Sequence, residues 1–216
     1  MKWCTIDSEY INYLKKVDGR IPNTEYGEYK FKPFFSPLFT KGNLVYVTQI
    51  SSKKERHLKM KEQVDFIKIY DEKNNNLLGV VNLNFMFPVP KDKIINVNYK
   101  DVDKYRKFRS EKEKGNYIHL LKEEMKQIKK RQINLLSEKL YEIVKINPFV
   151  SKRCLNFSLL EEKAVEFIQL KEQSKDPTEK TATTEQPKNP TEKIKPEKEK
   201  PKRQTRSRAK SKENER

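Results

Sequence analysis

Residues 43–57 read Asn-Leu-Val-Tyr-Val-Thr-Gln-Ile-Ser-Ser-Lys-Lys-Glu-Arg-His. The first eight are mostly β-branched or aromatic, which predicts a strand over residues 43–50. Directly behind it come two hydroxyls, two lysines, an arginine and a histidine. A strand end on a rigid sheet can aim such side chains into a cleft, whereas the same composition on a free loop is only solvated.

Working outward, residues 34–39 supply a partner strand across a short turn containing Gly42. Downstream, residues 65–70 and 77–83 form a hairpin turned by Asn74-Asn75-Asn76. Residues 85–89 (FMFPV) are a buried segment, and residues 94–99 are a further strand. Upstream, residues 2–6 (KWCTI) alternate as a first strand. Asp7 or Ser8 then caps a helix that buries Ile11, Leu14 and Val17 and stops at Gly19. Residues 20–33, with Gly27 and two prolines, have no period and read as a loop carrying Tyr26, Tyr29 and Lys32.

From Asn116 the apolar residues recur in steps of three and four, through Tyr117, Leu121, Met125, Ile128, Leu135, Leu136, Leu140 and Val144. That is an amphipathic helical stretch, ended by Pro148. Ser158 and Glu161 have the spacing of a capping box for a last helix with Leu159, Leu160, Ala164, Phe167 and Ile168 on its apolar side. Strands early and helices late give the α+β class.

The chain has 216 residues, 48 basic against 31 acidic, and a net charge of +17. Residues 171–216 contain only three apolar side chains, Ala182, Ile194 and Ala209, so they read as a disordered basic tail behind a folded domain of residues 1–170. The tail carries 15 basic and 9 acidic residues, and the domain keeps a net +11. A basic domain draws polyanions, nucleic acid first among them, although a lysine-rich protein from an AT-rich genome has the same composition. Two cysteines, two histidines and no long apolar run exclude a disulfide framework, a zinc cluster and a membrane helix. Residues 1–10 hold Lys2, Asp7 and Glu9 and lack a leader's apolar centre, so a reducing cytoplasm is expected. No phosphate-cradling glycine loop, nucleophile elbow or metal helix is present.

Metal-free RNA cleavage needs few parts. The ribose 2′-hydroxyl is the nucleophile, so the protein must stabilise an anionic phosphorane and move protons. Lysines, hydroxyls and a histidine suit that work. Solvated loops with this composition are nevertheless common, and residues 51–57 taken alone leave both readings open.

Four segments carry a family resemblance. They are Met1-Lys2-Trp3-Cys4-Thr5-Ile6 with Tyr10-Ile11-Asn12-Tyr13-Leu14 and Pro22-Asn23; Ile50-Ser51-Ser52-Lys53-Lys54 with His57; Gly79 through Val89; and Asn156 through Lys163. In these the chain resembles the ToxN/AbiQ family, the protein toxins of type III toxin–antitoxin and phage-abortive systems. The resemblance implies a compact twisted antiparallel β-barrel similar to the MazF/PemK toxins with added helices. It implies cleavage of A-rich RNA to a 2′,3′-cyclic phosphate, with neither metal nor cofactor. It also implies processing of, and inhibition by, a repeated pseudoknot RNA antitoxin in closed RNA–protein assemblies, with cellular or phage mRNA as target.

Carried over by position, the resemblance makes Ser51, Ser52, Lys54, Lys32, Tyr29 and His57 the catalytic set. Lys54 would act on the phosphorane or the leaving oxygen, and Ser52 on a phosphate oxygen. Lys53, Arg56, Tyr26 and Lys30 are the expected RNA-binding positions. Lys53 stands where the family has proline, which leaves Lys53 or Lys54 open. The interval from Tyr29 to Lys32 is one residue short, which leaves Tyr26 as a rival aromatic. Asn82 and Met86 read as core or strand-end residues. A non-catalytic RNA-binding or ribosome-associated protein is the alternative, and a DNA-binding regulator lacks a helix-turn-helix.

Overall fold

The computed structural model describes residues 1–24 and 26–173. The strand read from residues 43–57 is its spine. β4 (Leu44–Ser52) is nine residues long and changes partners halfway along on both edges. On one edge it pairs first with β3 (Thr40–Lys41) and then with β2 (Phe34–Ser36); on the other, first with β7 (Phe87–Pro90) and then with β6 (Leu77–Asn82). All these ladders are antiparallel. β2 pairs on with β1 (Lys2–Ile6), β1 with β8 (Ile94–Asn96), and β6 with β5 (Phe66–Tyr70).

The expected single strand over residues 34–39 is split. The Ser36–Pro37 peptide is cis. Pro37 has no N–H to offer, and backbone pairing with β4 resumes at Leu38, whose N–H donates to the Tyr46 carbonyl at 2.9 Å, before β3 begins at Thr40. Gly42 makes the β3–β4 turn at φ +59°. The polar stretch after residue 50 is not all loop either. Val80 and Gly79 hold Ser51 and Ser52 in the ladder, and a short helix α2 (Glu55–Lys59) follows.

The strands do not close into the barrel that the family resemblance implied. Their order is β5-β6-β4-β2-β1-β8, with β5 and β8 as free edges. The outer edge of β5 is already occupied by side chains. The Lys68 N–H donates to the Glu62 carboxylate at 2.6 Å, and the Lys68 carbonyl accepts from Arg131 at 3.1 Å. Both outward backbone groups of Lys68, at the middle of β5, are thus taken from any closing strand.

Helices cover the sheet. α1 (Ser8–Val17) starts at Asp7, whose carboxylate accepts from the backbone of Glu9 and Tyr10. It buries Tyr10, Ile11 and Leu14, and the Tyr10 hydroxyl donates to the Pro88 carbonyl at 2.7 Å. The amphipathic stretch after Asn116 is two helices, α3 (Glu111–Lys130) and α4 (Ile133–Ile146), broken where Gln132 takes φ +50°. The buried residues explain the break: from Ile128 the next is Ile133, a step of five that one straight helix cannot keep on one face. Leu135, expected on the apolar side, is half exposed. Pro148 opens a four-residue helix α5 (Pro148–Ser151). α6 (Phe157–Gln173) is capped not by Ser158 but by Asn156, whose side chain accepts from Leu159 N–H at 3.1 Å. Glu161 is thereby free to accept from Tyr46, Tyr141 and Lys41, a cluster that ties α4 and α6 to β3 and β4.

α6 is still helical at Gln173, the last described residue, and the rest of the expected tail lies outside the described residues. The core runs from Trp3 and Phe34 through Tyr46, Ile69 and Phe87 to Ile128, Leu140 and Phe167. Cys4 and Cys154 are free and buried in it, and burial pushes both thiols up to about 11.

Candidate RNA-cleavage site

The C-terminal end of β4 faces the loop that follows α1, and a cleft of about 460 Å³ lies between them. Gln49 joins the two. Its side-chain amide donates to the Asn23 carbonyl at 2.6 Å and the Lys32 carbonyl at 2.7 Å. The stretch between those carbonyls is a tongue closed by its own hydrogen bonds. Lys32 N–H donates to Thr24 at 2.8 Å, Tyr26 N–H to Lys30 at 3.1 Å and Lys30 N–H to Gly27 at 3.2 Å, with Gly27 at φ +88°. Only a residue without a Cβ turns the chain so cheaply there.

Four cations line the cleft: Lys15 from α1, Arg20 just beyond it, Lys32 from the tongue and Arg56 from α2. Arg20 is paired with Asp18 at 2.8 Å. Among the described residues no carboxylate pairs with Lys15, Lys32 or Arg56. The other lining groups are neutral: Thr48, Gln49 and Ser51 of β4, Asn23, Tyr26, Asn82 and Phe85. Asn82 donates its amide N–H to the Ser51 hydroxyl oxygen at 3.0 Å, which fixes that hydroxyl at the rim. Lys32 places its ammonium 5.2 Å from the centre of the Tyr26 ring. Lys15 also donates to the Asn23 side chain, and three cations without a carboxylate partner among the described residues, set beside an anchored hydroxyl, are chemically suited to a phosphodiester.

The expected residues divide accordingly. Ser51, Lys32, Arg56 and Tyr26 meet in the cleft. Ser52, the last residue of β4, and Lys53 and Lys54, which lead into α2, continue from it as exposed positions and do not line it. Tyr29 and Lys30 are exposed on the far part of the tongue. His57 is buried, its ring 5.9 Å from that of Phe66, and its Nδ1 has no hydrogen-bond partner among the described residues. Burial first, then the charges of Arg56, Lys54 and Lys68, lower its pKa below the ordinary histidine value.

Sequence reading did not single out Lys15, Arg20, Asn23 or Gln49; Asn82, read as a core or strand-end residue, is the last residue of β6 and also lines the cleft. Gln49 carried a signal, a long polar side chain inside an apolar strand. Asn23 and Asn82 stood inside segments quoted for the family resemblance. Met86 is fully buried, as read. Among the described residues no group of three or more His, Cys, Asp or Glu could hold a metal ion, and no helix is long and apolar enough to cross a membrane.

Residues 2–165 match the family described as Toxin ToxN, type III toxin-antitoxin system. The chain belongs to the ToxN family. Two curated ToxN relatives are named endoribonucleases. That of Pectobacterium atrosepticum is 35% identical over 92 residues, 41% of this chain and 54% of the relative, so the match spans about half that protein's length. That of Bacillus thuringiensis subsp. kurstaki is 26% identical over 177 residues, 77% of this chain and 84% of the relative. A solved structure of a bacterial antiviral system regulated by a processed non-coding RNA superposes at TM-score 0.62 with 27% identity, covering 77% of this chain and 99% of that one. AbiQ, a lactococcal anti-phage endoribonuclease of the type III class, superposes at 0.62 with 20% identity, covering 78% and 98%. At that identity it speaks for the ToxN fold alone.

Proposed function

We propose that the chain is a metal-independent endoribonuclease toxin whose cleft beside Ser51 holds the scissile phosphate of single-stranded, A-rich RNA. The observation that carries this is the convergence of Lys15, Lys32 and Arg56, none paired with a carboxylate among the described residues, on the hydroxyl that Asn82 anchors. Its relatives' endoribonuclease names support the same reading.

In the reaction the 2′-oxygen attacks the adjacent phosphorus and the bond from phosphorus to the 5′-oxygen breaks. The 2′ proton leaves to solvent or a basic group, and the departing 5′-oxygen gains a proton. The products are a 2′,3′-cyclic phosphate and a 5′-hydroxyl. Lys32 and Arg56 neutralise the charge that builds on the non-bridging oxygens, and Ser51 donates a hydrogen bond to one of them. Lys54 and Ser52, exposed outside the cleft lining between Ser51 and α2, act where the RNA leaves the cleft, Lys54 protonating the leaving oxygen and Ser52 holding a neighbouring phosphate oxygen. Among the described residues no histidine or carboxylate lines the cleft, and stabilisation of charge and orientation of the phosphate carry most of the rate.

The solved antiviral system regulated by a processed RNA supports a matching partner here. A repeated RNA antitoxin, each unit a pseudoknot, is cut by the toxin and fills the cleft in a closed RNA–protein assembly. The toxin works in the cytoplasm, in phage defence.

The test is cleavage of an A-rich oligoribonucleotide in excess EDTA. Wild type is expected to cut and leave cyclic-phosphate ends, and Lys32→Ala and Lys54→Ala to lose about 10²-fold or more in kcat while remaining folded. Abolition of cutting by EDTA, or wild-type rates for both variants, would overturn the proposal.

A further inference from the structure

We infer that the far part of the tongue, Tyr29 with Arg109 over its ring, is a second stacking platform that grips an unpaired RNA base outside the cleft. The inference rests on the proposed ribonuclease reading and names where the substrate runs once it leaves the scissile phosphate.

Tyr26 and Tyr29 are exposed by 45% and 49%, although a tyrosine usually buries most of its ring. Each has a cation over its face. Lys32 lies 5.2 Å from the Tyr26 ring, and the Arg109 guanidinium lies 5.9 Å from the Tyr29 ring. Tyr26 lines the cleft and Tyr29 comes three residues later on the same hydrogen-bonded tongue. Lys30 and Arg109 have no carboxylate partner among the described residues, so the cationic surface continues from the cleft past Tyr29.

The platform is held in place. Lys107 donates its N–H to the Glu28 carbonyl at 2.7 Å and pairs with the Glu28 carboxylate at 3.0 Å. Phe31, at the root of the tongue, stacks on Tyr105 with centroids 4.7 Å apart, and its carbonyl accepts from the Tyr117 hydroxyl at 3.0 Å. Next to Arg109, Arg106 sits between the rings of Phe108 and Tyr117, at 4.5 and 4.6 Å, and pairs with Glu113. That arginine is spent on structure, whereas Arg109 is left with only a ring. An aromatic face fixed beforehand, flanked by free cations and continuous with a phosphate-binding cleft, suits a base and its phosphate in single-stranded RNA. A protein partner would be offered scattered charges and little apolar area.

Two single-stranded oligoribonucleotides sharing the cleaved core, one extended by several nucleotides on both sides, test this. Wild type should show a KM about 10-fold lower for the longer one. Tyr29→Ala and Arg109→Ala should each erase most of that advantage through KM, and Tyr29→Phe, which keeps the ring, should restore it. No length advantage in wild type, or an advantage surviving both alanine variants, overturns the platform. So does a loss of kcat rather than a rise in KM in Tyr29→Phe and Tyr29→Ala alike, because that would give the hydroxyl a chemical role. A 2-aminopurine base in the extension reads stacking without cleavage. If wild type cuts nothing, the ribonuclease reading fails and quenching alone decides. Quenching lost in Tyr29→Ala and kept in Tyr29→Phe upholds the platform; equal quenching in all three overturns it.

Discussion

Gly79 faces Ser52 across the β4–β6 ladder, and the space its missing side chain leaves is taken. A Cβ built there would stand 2.5 Å from Ile50 Cγ2 and 2.8 Å from the Ser51 carbonyl oxygen. Carbon contacts are comfortable at about 3.5 Å or more, so Gly79→Ala must part the two strands by roughly 0.5–1 Å, at the residues that carry the site. The Ser51 oxygen belongs to the backbone and cannot swing aside. Overpacking of this size costs about 2 kcal/mol, which for a domain of this length is roughly a 4–8 °C fall in melting temperature.

The functional loss should exceed the loss of stability. A displacement near 1 Å at a reacting group can cost about 10²-fold in rate, and the Ser51 hydroxyl moves with its backbone. Gly115→Ala is the control. That glycine lies inside α3 with nothing within 4 Å of its would-be Cβ, so alanine should stabilise by about 1 kcal/mol and leave cleavage alone. Urea unfolding and single-turnover cleavage at saturating RNA read the two effects separately. If Gly79→Ala unfolds within about 0.5 kcal/mol of wild type and cuts at its rate, the close approach of β6 to Ser51 is not what places the hydroxyl.

Two further perturbations test what lies behind the sheet. Burial pushes the Glu124 carboxyl up to about 8, so its neutral form suits the fold; stability should be full below pH ~4.5 and fall by up to about 4 kcal/mol as pH rises to 8, and Glu124→Gln should flatten that slope in urea titrations at pH 5 and 8. At Glu161, burial raises the pKa but hydrogen bonds from Lys41, Tyr46 and Tyr141 outweigh it and the net shift is downward, so its stabilising contribution is present above pH ~4.5 and lost on acidification below it. Glu161→Ala, which strands the buried Tyr46 hydroxyl, should cost about 1–3 kcal/mol in urea unfolding at pH 7, and Glu161→Gln, which keeps an acceptor, clearly less.

What could be read in advance follows from where each signal is written. The strand read over residues 43–50 is written in consecutive side chains, and so are the helix cap at Asp7 and the turn at Gly42, because each depends on neighbours in sequence; its extension through Ser52 depends on β6 beside it. The break at Gln132 depends on which residues find a core, and Leu135 and Leu136 look alike until a sheet is placed beside them. The cap of α6 moved to Asn156 because Glu161, free to serve as a capping partner in isolation, finds stronger donors in Tyr46, Tyr141 and Lys41. The site shows the same division. Ser51 directly follows the strand read over residues 43–50, but only the family resemblance assigned it to the site, and the structure extends β4 through it. The neighbouring His57 turned inward because α2 begins at residue 55, and a five-residue helix with one buried position gives that position to the ring that can pack on Phe66. The choice between Tyr26 and Tyr29 could not be made by counting along the chain, since the tongue folds back on itself. Its hydrogen bonds from Tyr26 to Lys30 and from Lys32 to Thr24 bring Tyr26 beside Lys32, six residues away, and leave Tyr29, only three away, to Arg109. The shortened interval in the sequence is thus met by two aromatics in different places, Tyr26 beside Lys32 in the cleft and Tyr29 beside Arg109 outside it.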